Sequence, residues 1–275
     1  MKKTMIFSLV LLFLTTIATQ AQWRHPTHDE YHALQADTDI TIDGNLKDWE
    51  GVLEAVTGTN GKTFCGIKNE QGVFEAHGGG QWKGADDHET CFMILWTPDY
   101  VYLALNITDD EHEHAAPQAW NGDGAQLSFE PTGKRQPART DILYNAGLDD
   151  AGKVLILGNE QTRGNPGLVG DEDVAITRDE GNKKTYYEFR ISPDNLGYKD
   201  PFKEGIQFGL GICVNDGDKA AGQGGQKGWS GWYPHSVVHG KNPDKTGLVV
   251  LSDETLSIDP LNKITTTWGN IKSLK

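Results

Sequence analysis

Apolar and polar residues alternate strictly along several stretches of this chain, and this two-residue period constrains the fold more than any other feature. Large apolar side chains occupy every odd position from Val101 to Thr108 and every even position from Ile206 to Asn215. Successive side chains of a β-strand point to opposite faces, so each stretch predicts a strand with one buried face. Residues 125–130 and 186–191 alternate in the same way, and the more apolar run Cys91–Trp96 predicts a central strand.

Shorter alternating stretches predict five further strands, at Asp39–Ile42, Asp141–Tyr144, Lys153–Leu157, Val174–Thr177 and Thr246–Leu251. About ten strands with turn residues between them predict an all-β fold, an antiparallel β-sandwich of the jelly-roll or immunoglobulin-like kind. Glycine supports many turns, because the chain has 33 glycines in 275 residues. At Ser192–Gly197, an N-cap residue, a proline and a closing glycine predict one or two short helical turns.

The first residues predict an export signal. Lys2 and Lys3 precede an apolar run from Ile6 to Ile17, and small residues follow up to Ala21. This order is typical of a cleavable signal peptide, here at residues 1–21, and predicts a secreted or periplasmic protein. No second apolar run follows in the sequence, so we expect no integral membrane segment in the mature chain.

The remaining chain predicts a single domain, because strand-like alternation continues without a low-complexity linker. We therefore predict an N-terminal segment at residues 22–37, one β-sandwich domain at residues 38–252 and a C-terminal tail at residues 253–275. The formal net charge of −14 argues against nucleic acid as a partner. Binding to phosphates needs clustered Lys and Arg, whereas an acidic surface suits a neutral ligand or a cation.

Two glycine-rich stretches carry aromatic residues next to polar ones. Trp120 precedes a strand on which Gln126 faces away from the core, and Trp229, Trp232 and Tyr233 lie together in the second stretch. Aromatic rings stack on the apolar faces of sugars while polar neighbours bind the hydroxyl groups. These five residues therefore predict a carbohydrate-binding site in which Trp120 and one of the other two Trp hold a sugar. The alternative is that these rings pack in the core.

Carboxylates cluster in three turns, around Asp87, around Asp109 and Asp110, and around Asp216. Calcium prefers hard oxygen ligands, so these four residues predict a structural calcium site. The alternative is that the acidic turns are simply solvated. The sequence His112-Glu113-His114 also leaves a transition-metal site open.

The chain has three cysteines, Cys65, Cys91 and Cys213. An exported protein can form disulfides. Cys213 lies in an apolar strand, which makes Cys65 and Cys91 the more natural pair. The alternative is three inert buried thiols.

The order of the motifs resembles family 9 carbohydrate-binding modules. The opening Asp39–Trp49 (DITIDGNLKDW) is followed by Thr108–Asp110, by a W-x-G-D element at Trp120–Asp123, by Val214–Asp216 and by Gly247–Leu251. The resemblance spans about residues 37–252. It implies a DOMON-like β-sandwich that binds sugars between paired Trp side chains, with polar neighbours and bound calcium, in modules attached to xylanases and related hydrolases. Gln126 stands where the family often has Glu, which is a departure at the site.

The sequence thus predicts an exported carbohydrate-binding protein that supports polysaccharide degradation. Its expected ligand is a neutral polysaccharide or oligosaccharide, such as xylan or cellulose, or the end of such a chain. One alternative is a glycoside hydrolase or polysaccharide lyase, which needs a pair of carboxylates that the sequence does not single out. A further alternative is a haem-binding DOMON-like domain, for which Met93 is a candidate axial ligand.

Overall fold

The computed structural model describes residues 29–49, 52, 64–65, 74–113, 122–136, 142–149, 151–156, 165–170, 172–218, 226–238 and 241–256. These residues form 13 β-strands in one hydrogen-bonded sheet, together with four 3₁₀ turns of three or four residues each. The strands are β1 Glu30–Ala36, β2 Phe64–Cys65, β3 Glu75–Ala76, β4 His88–Trp96, β5 Val101–Asp109, β6 Gly124–Glu130, β7 Ile142–Leu148, β8 Val154–Ile156, β9 Val174–Asp179, β10 Lys184–Ile191, β11 Gln207–Gly217, β12 Gln226–Ser230 and β13 Gly247–Leu256. In the described part of the chain, no helix is long and apolar enough to cross a membrane.

The sheet folds over on itself into a β-sandwich of two layers. Its strands run in the order β8-β7-β6-β11-β13-β1-β4-β5-β10-β9, and β12, β3 and β2 pair beside this path. Strands β6, β7, β8 and β11 form one layer, strands β4, β5, β9 and β10 form the other, and β13 with β1 joins them. Strand β1 is parallel to both of its neighbours, β13 and β4, whereas the other strand pairs are antiparallel.

The main hydrophobic core lies between the two layers. Leu103 and Leu105 on β5 belong to the same buried cluster as Leu127 on β6 and Ile212 on β11, and each is at most 1% exposed. The inward positions are those that the two-residue period predicts. The all-β prediction and the predicted strands around this core are therefore confirmed.

The DGNLKDW motif near the start of the chain is held in place by Glu188 on β10. Its carboxylate accepts hydrogen bonds from Trp49 Nε1 at 2.8 Å and from the backbone nitrogens of Asp43 and Gly44 at 3.0 and 2.6 Å. Gly44 has a φ of 77°, and the side chain of Thr177 occupies the space where a Cβ would lie. The motif therefore docks a loop onto the outer face of the β4–β5–β10 layer.

The N-terminal part differs from the sequence prediction in two ways. Asp39–Ile42 is a loop held by the docking contacts, so the strand predicted there is wrong. Glu30–Ala36, which the sequence places in the N-terminal segment, is instead strand β1 between β13 and β4. A bulge between Ala33 and Gln35 shifts the register of this strand. The bulge interrupts the two-residue period, which hides the strand from pattern reading.

The predicted short helical turn is confirmed. A 3₁₀ turn spans Asp194–Leu196 and closes at Gly197, whose φ is 75°. The segment Thr97–Asp99 turns the chain between the antiparallel strands β4 and β5, and the Thr97 nitrogen donates to the Tyr100 carbonyl at 2.8 Å. The predicted signal peptide lies outside the described residues, as does most of the predicted C-terminal tail. The predicted domain boundaries stay a prediction.

Candidate functional site

Neutral amides form a row on the outer face of the β6–β7–β11 layer. Gln126 on β6 lies between its cross-strand partners Asn145 on β7 and Cys213 on β11. Cross-strand partners share a face of the sheet, and Leu127 next to Gln126 points into the core. Asn215 therefore continues the row on β11, two positions after Cys213.

The amides in this row are buried and only partly hydrogen-bonded. Asn215 Oδ1 accepts from Gln226 Nε2 at 2.8 Å and from Gln126 Nε2 at 3.3 Å. Asn145 is 0% exposed and Asn215 is 1% exposed. Both side-chain polar atoms of Asn145 and the amide nitrogen of Asn215 have no hydrogen-bond partner among the described residues. A buried polar group without a partner costs about 1–3 kcal/mol, so three such atoms in one place call for a functional explanation.

Trp229 borders the amide row. It lies directly opposite Asn215 in the β11–β12 register. The ring of His77 packs against its indole, with 5.4 Å between the ring centroids. The indole is 5% exposed and belongs to a small cluster on this outer face. The other fully buried members of that cluster are Leu143, Cys213 and Val237.

Trp232 and Tyr233 lie away from the amides. Trp232 is part of the main core, with its ring 5.2 Å from that of Phe92 between centroids, and it presses on Gly247, where a Cβ would not fit. The Tyr233 hydroxyl donates to Asp29 Oδ1 at 2.7 Å. Of the two Trp predicted as alternatives, Trp229 is therefore the one beside Gln126 and the other amides. Trp120 lies outside the described residues, and its stacking role stays a prediction.

Sequence reasoning found Gln126 but missed Asn145, Asn215 and Gln226. Each is a single polar residue at an outward position of a strand, and outward positions are polar in any sandwich. That these amides lie side by side can be recognised only once the strand order is known. Strands β6 and β11 are neighbours in the sheet although about 80 residues separate them in sequence.

The interior of the sandwich becomes polar at its end beneath the amide row. Asp109 on β5, Asp123 just before β6 and Asp216 on β11 continue the inward-facing rows of the core, and each is at most 4% exposed. His88 lies directly opposite Asp109 in the β4–β5 register and is 1% exposed. We call these residues, together with His112 and Arg178, the interior polar cluster.

His112 lies between two of the carboxylates. Its Nδ1 is 3.5 Å from Asp109 Oδ2 and 3.5 Å from Asp123 Oδ2, and its side chain is 1% exposed. Backbone groups fix the Asp123 carboxylate, because the nitrogens of Glu113 and Gly217 donate to its two oxygens at 2.5 and 2.9 Å. Three donor atoms therefore converge in a buried space.

Burial and mutual repulsion act on the acids of this cluster. Desolvation, with the Asp109 charge adding to it, raises the pKa of Asp216 to about 7. The same two causes raise the pKa of Asp123 well above its usual range. Burial also acts to raise the pKa of Asp109, but the hydrogen bond from His112 and the nearby positive charges hold it below the usual value. Burial and the Asp109 charge therefore favour the protonated forms of Asp123 and Asp216.

The four predicted calcium ligands do not gather in one group. The Asp87 carboxylate accepts hydrogen bonds from the Lys83 backbone nitrogen and ammonium group at 2.7 and 3.2 Å. Asp110 is exposed to solvent. Among the described residues, one group of three metal-ligating side chains lies within 4.8 Å of one another, and it consists of Asp109, His112 and Asp123. Calcium takes six to eight oxygen ligands. A donor set with an imidazole nitrogen fits calcium poorly, and calcium binding stays a prediction.

The cysteines differ in state. Cys91 is disulfide-bonded, and its cross-strand neighbour in the β2–β4 register is Cys65. Cys213 is free and buried. This register favours the predicted Cys65–Cys91 bridge, which stays a prediction.

A groove lies on the outer face of the opposite layer. Its volume is about 470 Å³, and it lies between the loop at residues 43–47 and the side chains of Asn106, Thr177 and Tyr186. These three residues are cross-strand neighbours on β5, β9 and β10. Met93, the candidate haem ligand, is 0% exposed and lies in an apolar cluster under the N-terminal loop.

Buried amides beside an aromatic ring offer the two kinds of contact that sugars make with proteins, hydrogen bonds and stacking. A family model described as "Carbohydrate family 9 binding domain-like" matches residues 66–254 of the chain. This match covers well over half of the chain, and the chain belongs to that family.

Solved structures share the fold. The chain is similar to a family 9 carbohydrate-binding module from Caldicellulosiruptor kristjanssonii in complex with cellotriose, with a TM-score of 0.54 and 12% identity over 82% of this chain and 94% of that one. It is also similar to a family 9 module from the same organism in complex with glucose, with a TM-score of 0.55 and 13% identity over 84% and 100% of the two chains. No curated protein matches the chain by sequence.

Proposed function

We propose that this chain is an exported carbohydrate-binding protein that holds a neutral polysaccharide, or the end of one, at the amide row. The observation that carries the proposal is the set of side-chain atoms on Asn145 and Asn215 that have no partner among the described residues and are buried next to Gln126 and Trp229. Carboxamides both donate and accept hydrogen bonds, as sugar hydroxyl groups do. An uncharged ligand can therefore satisfy these atoms without bringing a buried charge.

The chemistry of the row favours a neutral sugar over an acidic one. Binding a uronic acid or sulfated sugar would call for Arg or Lys at hydrogen-bonding distance. The four amides of the row, Gln126, Asn145, Asn215 and Gln226, carry no charge. The cellotriose and glucose bound by the Caldicellulosiruptor modules support a glucan such as cellulose as the first ligand to test, with xylan as the second.

The aromatic part of the site is Trp229, with Trp120 as the second ring. Trp229 lies beside the amides with one face against His77. A ring held in this way supplies apolar contact area at little entropic cost. Export of the protein through its signal peptide would bring this site to polysaccharides outside the cell.

The test is a binding panel on insoluble cellulose and xylan, with soluble products measured in the same tubes. Wild-type protein should pellet with at least one of these polysaccharides and release no reducing sugars. Gln126→Ala should weaken binding by about tenfold or more, equivalent to about 1.4 kcal/mol. Gln207→Ala is the matched control, since Gln207 is exposed at the other end of the β11 strand.

Equal binding by wild-type protein and Gln126→Ala, with equal melting temperatures, would contradict the amide row as the site. Steady release of sugars by the wild-type protein would instead favour the hydrolase or lyase alternative.

A further inference from the structure

We propose that the interior polar cluster is a binding site for one divalent transition-metal ion of the zinc type, with Asp109, His112 and Asp123 as its protein ligands. The proposal concerns a site separate from the amide row and does not depend on sugar binding. It differs from the calcium site predicted from the acidic turns in its ion and in its set of ligands.

The spacing of the donor atoms fits ligands arranged around one metal ion. His112 Nδ1 lies 3.5 Å from Asp109 Oδ2 and 3.5 Å from Asp123 Oδ2. Ligands placed tetrahedrally at about 2.1 Å from zinc lie about 3.4 Å from one another. The imidazole nitrogen thus lies at the spacing of neighbouring ligands from each carboxylate oxygen, and all three atoms lie within 4.8 Å of one another.

The carboxylates are held ready by the backbone. Gly217 and Glu113 donate to the oxygens of Asp123, and the nitrogen of Glu111 donates to Asp109 Oδ1 at 3.1 Å. Hydrogen bonds of this kind orient the ligands of metal sites in proteins. The ligands therefore do not need to rearrange before an ion binds.

The charges also call for a divalent cation. Asp109, Asp123 and Asp216 carry three negative charges when ionised, and Arg178 supplies one positive charge, with its guanidinium 3.9 Å from Asp109 Oδ2. When all three acids are ionised, two negative charges are left over among buried side chains. Buried charges in proteins are paired or bind metals, and one divalent ion would balance these two.

His88 is an independent sign that a ligand belongs here. Its side chain is 0% exposed, and in the described part of the chain neither ring nitrogen has a partner at good hydrogen-bond geometry, although the Val214 backbone is near enough to influence the ring. It lies on the same face as Asp109, its cross-strand partner, and its Nδ1 is 3.7 Å from Asp216 Oδ1. A buried imidazole of this kind would complete the surroundings of the ion, together with Asp216.

The donor types select the ion. One imidazole nitrogen with two carboxylate oxygens suits zinc and other divalent transition metals. Calcium and magnesium prefer oxygen ligands alone and in larger number.

The test uses untagged purified protein, stripped with a chelator and dialysed. Metal content after reloading should reach one zinc per chain. At one hundred times the Kd, zinc should raise the melting temperature by about 5 °C or more, and calcium at the same concentration should not. X-ray absorption at the zinc edge should show nitrogen and oxygen neighbours with an imidazole signature, which tests the ligands without any substitution.

Two variants then locate the site. His112→Ala should weaken zinc binding at least tenfold. His32→Ala, the matched control, should bind zinc like the wild type, because the His32 side chain is 53% exposed on β1. The proposal is overturned if calcium stabilises the protein and zinc does not, or if one zinc still binds His112→Ala with unchanged affinity. If His112→Ala does not fold, an absorption spectrum of the wild type without imidazole overturns it.

Discussion

At the scale of single residues, Trp229 and Trp232 lie only three positions apart in the sequence but have different roles. Trp229 points outward from β12 into the small cluster beside the amides, whereas Trp232 lies in the main core. Between them Gly231 has a φ of 137°, and a Cβ there would strike the Ile212 carbonyl. Glycine therefore permits the turn that sends the second indole inward.

This difference predicts different costs for the two substitutions. Trp232→Ala should lower the free energy of unfolding by about 3–5 kcal/mol, because it empties a large site in the main core. Trp229→Ala should cost less stability, because its cluster is small, and should weaken polysaccharide binding about tenfold. Urea unfolding and binding isotherms on both variants measure this. A larger loss of stability for Trp229→Ala than for Trp232→Ala would contradict the assignment.

At the scale of elements, the N-terminal loop depends on one buried carboxylate. Burial raises the pKa of Glu188, while its hydrogen bonds from Trp49 and the loop backbone act to lower it. The loop covers Met93 and Tyr102 on the outer face of its layer. A single charge on β10 thus holds a whole segment in place.

Glu188→Gln should release this loop, because a carboxamide oxygen cannot accept all three hydrogen bonds and its amide group opposes another donor. The free energy of unfolding should fall by about 2–3 kcal/mol, and hydrogen exchange at Asp43 and Gly44 should accelerate. Glu204→Gln is the control, since Glu204 is exposed. Unchanged exchange at Gly44 in Glu188→Gln would show that other contacts hold the loop.

The two-residue period predicts those strands that have one buried face along their whole length. Strands such as β5 and β11 were predictable, because each has one buried and one outward face along its whole length. Strand β1 was not, since its bulge breaks the period. The pairing of Asn145 with Gln126 was not predictable either, because it depends on which strands are neighbours. Similarly, Asp123 came close to His112 only through folding.

At the scale of the whole molecule, the two proposed sites lie on opposite sides of one layer. Asp123 is three residues before Gln126, and it accepts a hydrogen bond from Gly217, two residues after Asn215. The interior polar cluster therefore joins the ends of β6 and β11, the strands that carry the amide row. An ion that fixes these ends would also fix the spacing of the amides.

Metal removal should consequently weaken sugar binding. Coupling between two sites in a protein is commonly 1–3 kcal/mol, so the sugar Kd should rise about fivefold or more in chelator. Adding back zinc should restore the original Kd. Calorimetric titration with a soluble oligosaccharide, with and without chelator, makes the measurement. An identical Kd in both conditions would contradict the predicted coupling between the two sites.

The central claim is that a neutral sugar binds at the amide row, and nuclear magnetic resonance of the wild-type protein tests it most directly. During titration with a soluble cello-oligosaccharide or xylo-oligosaccharide, the side-chain amide signals of Gln126, Asn145 and Asn215 should shift, together with the Trp229 indole signal. The signals of Asn106 and Tyr186 in the groove of the opposite layer should stay unchanged. Binding that shifts the groove signals and leaves the amide row unchanged would contradict the claim.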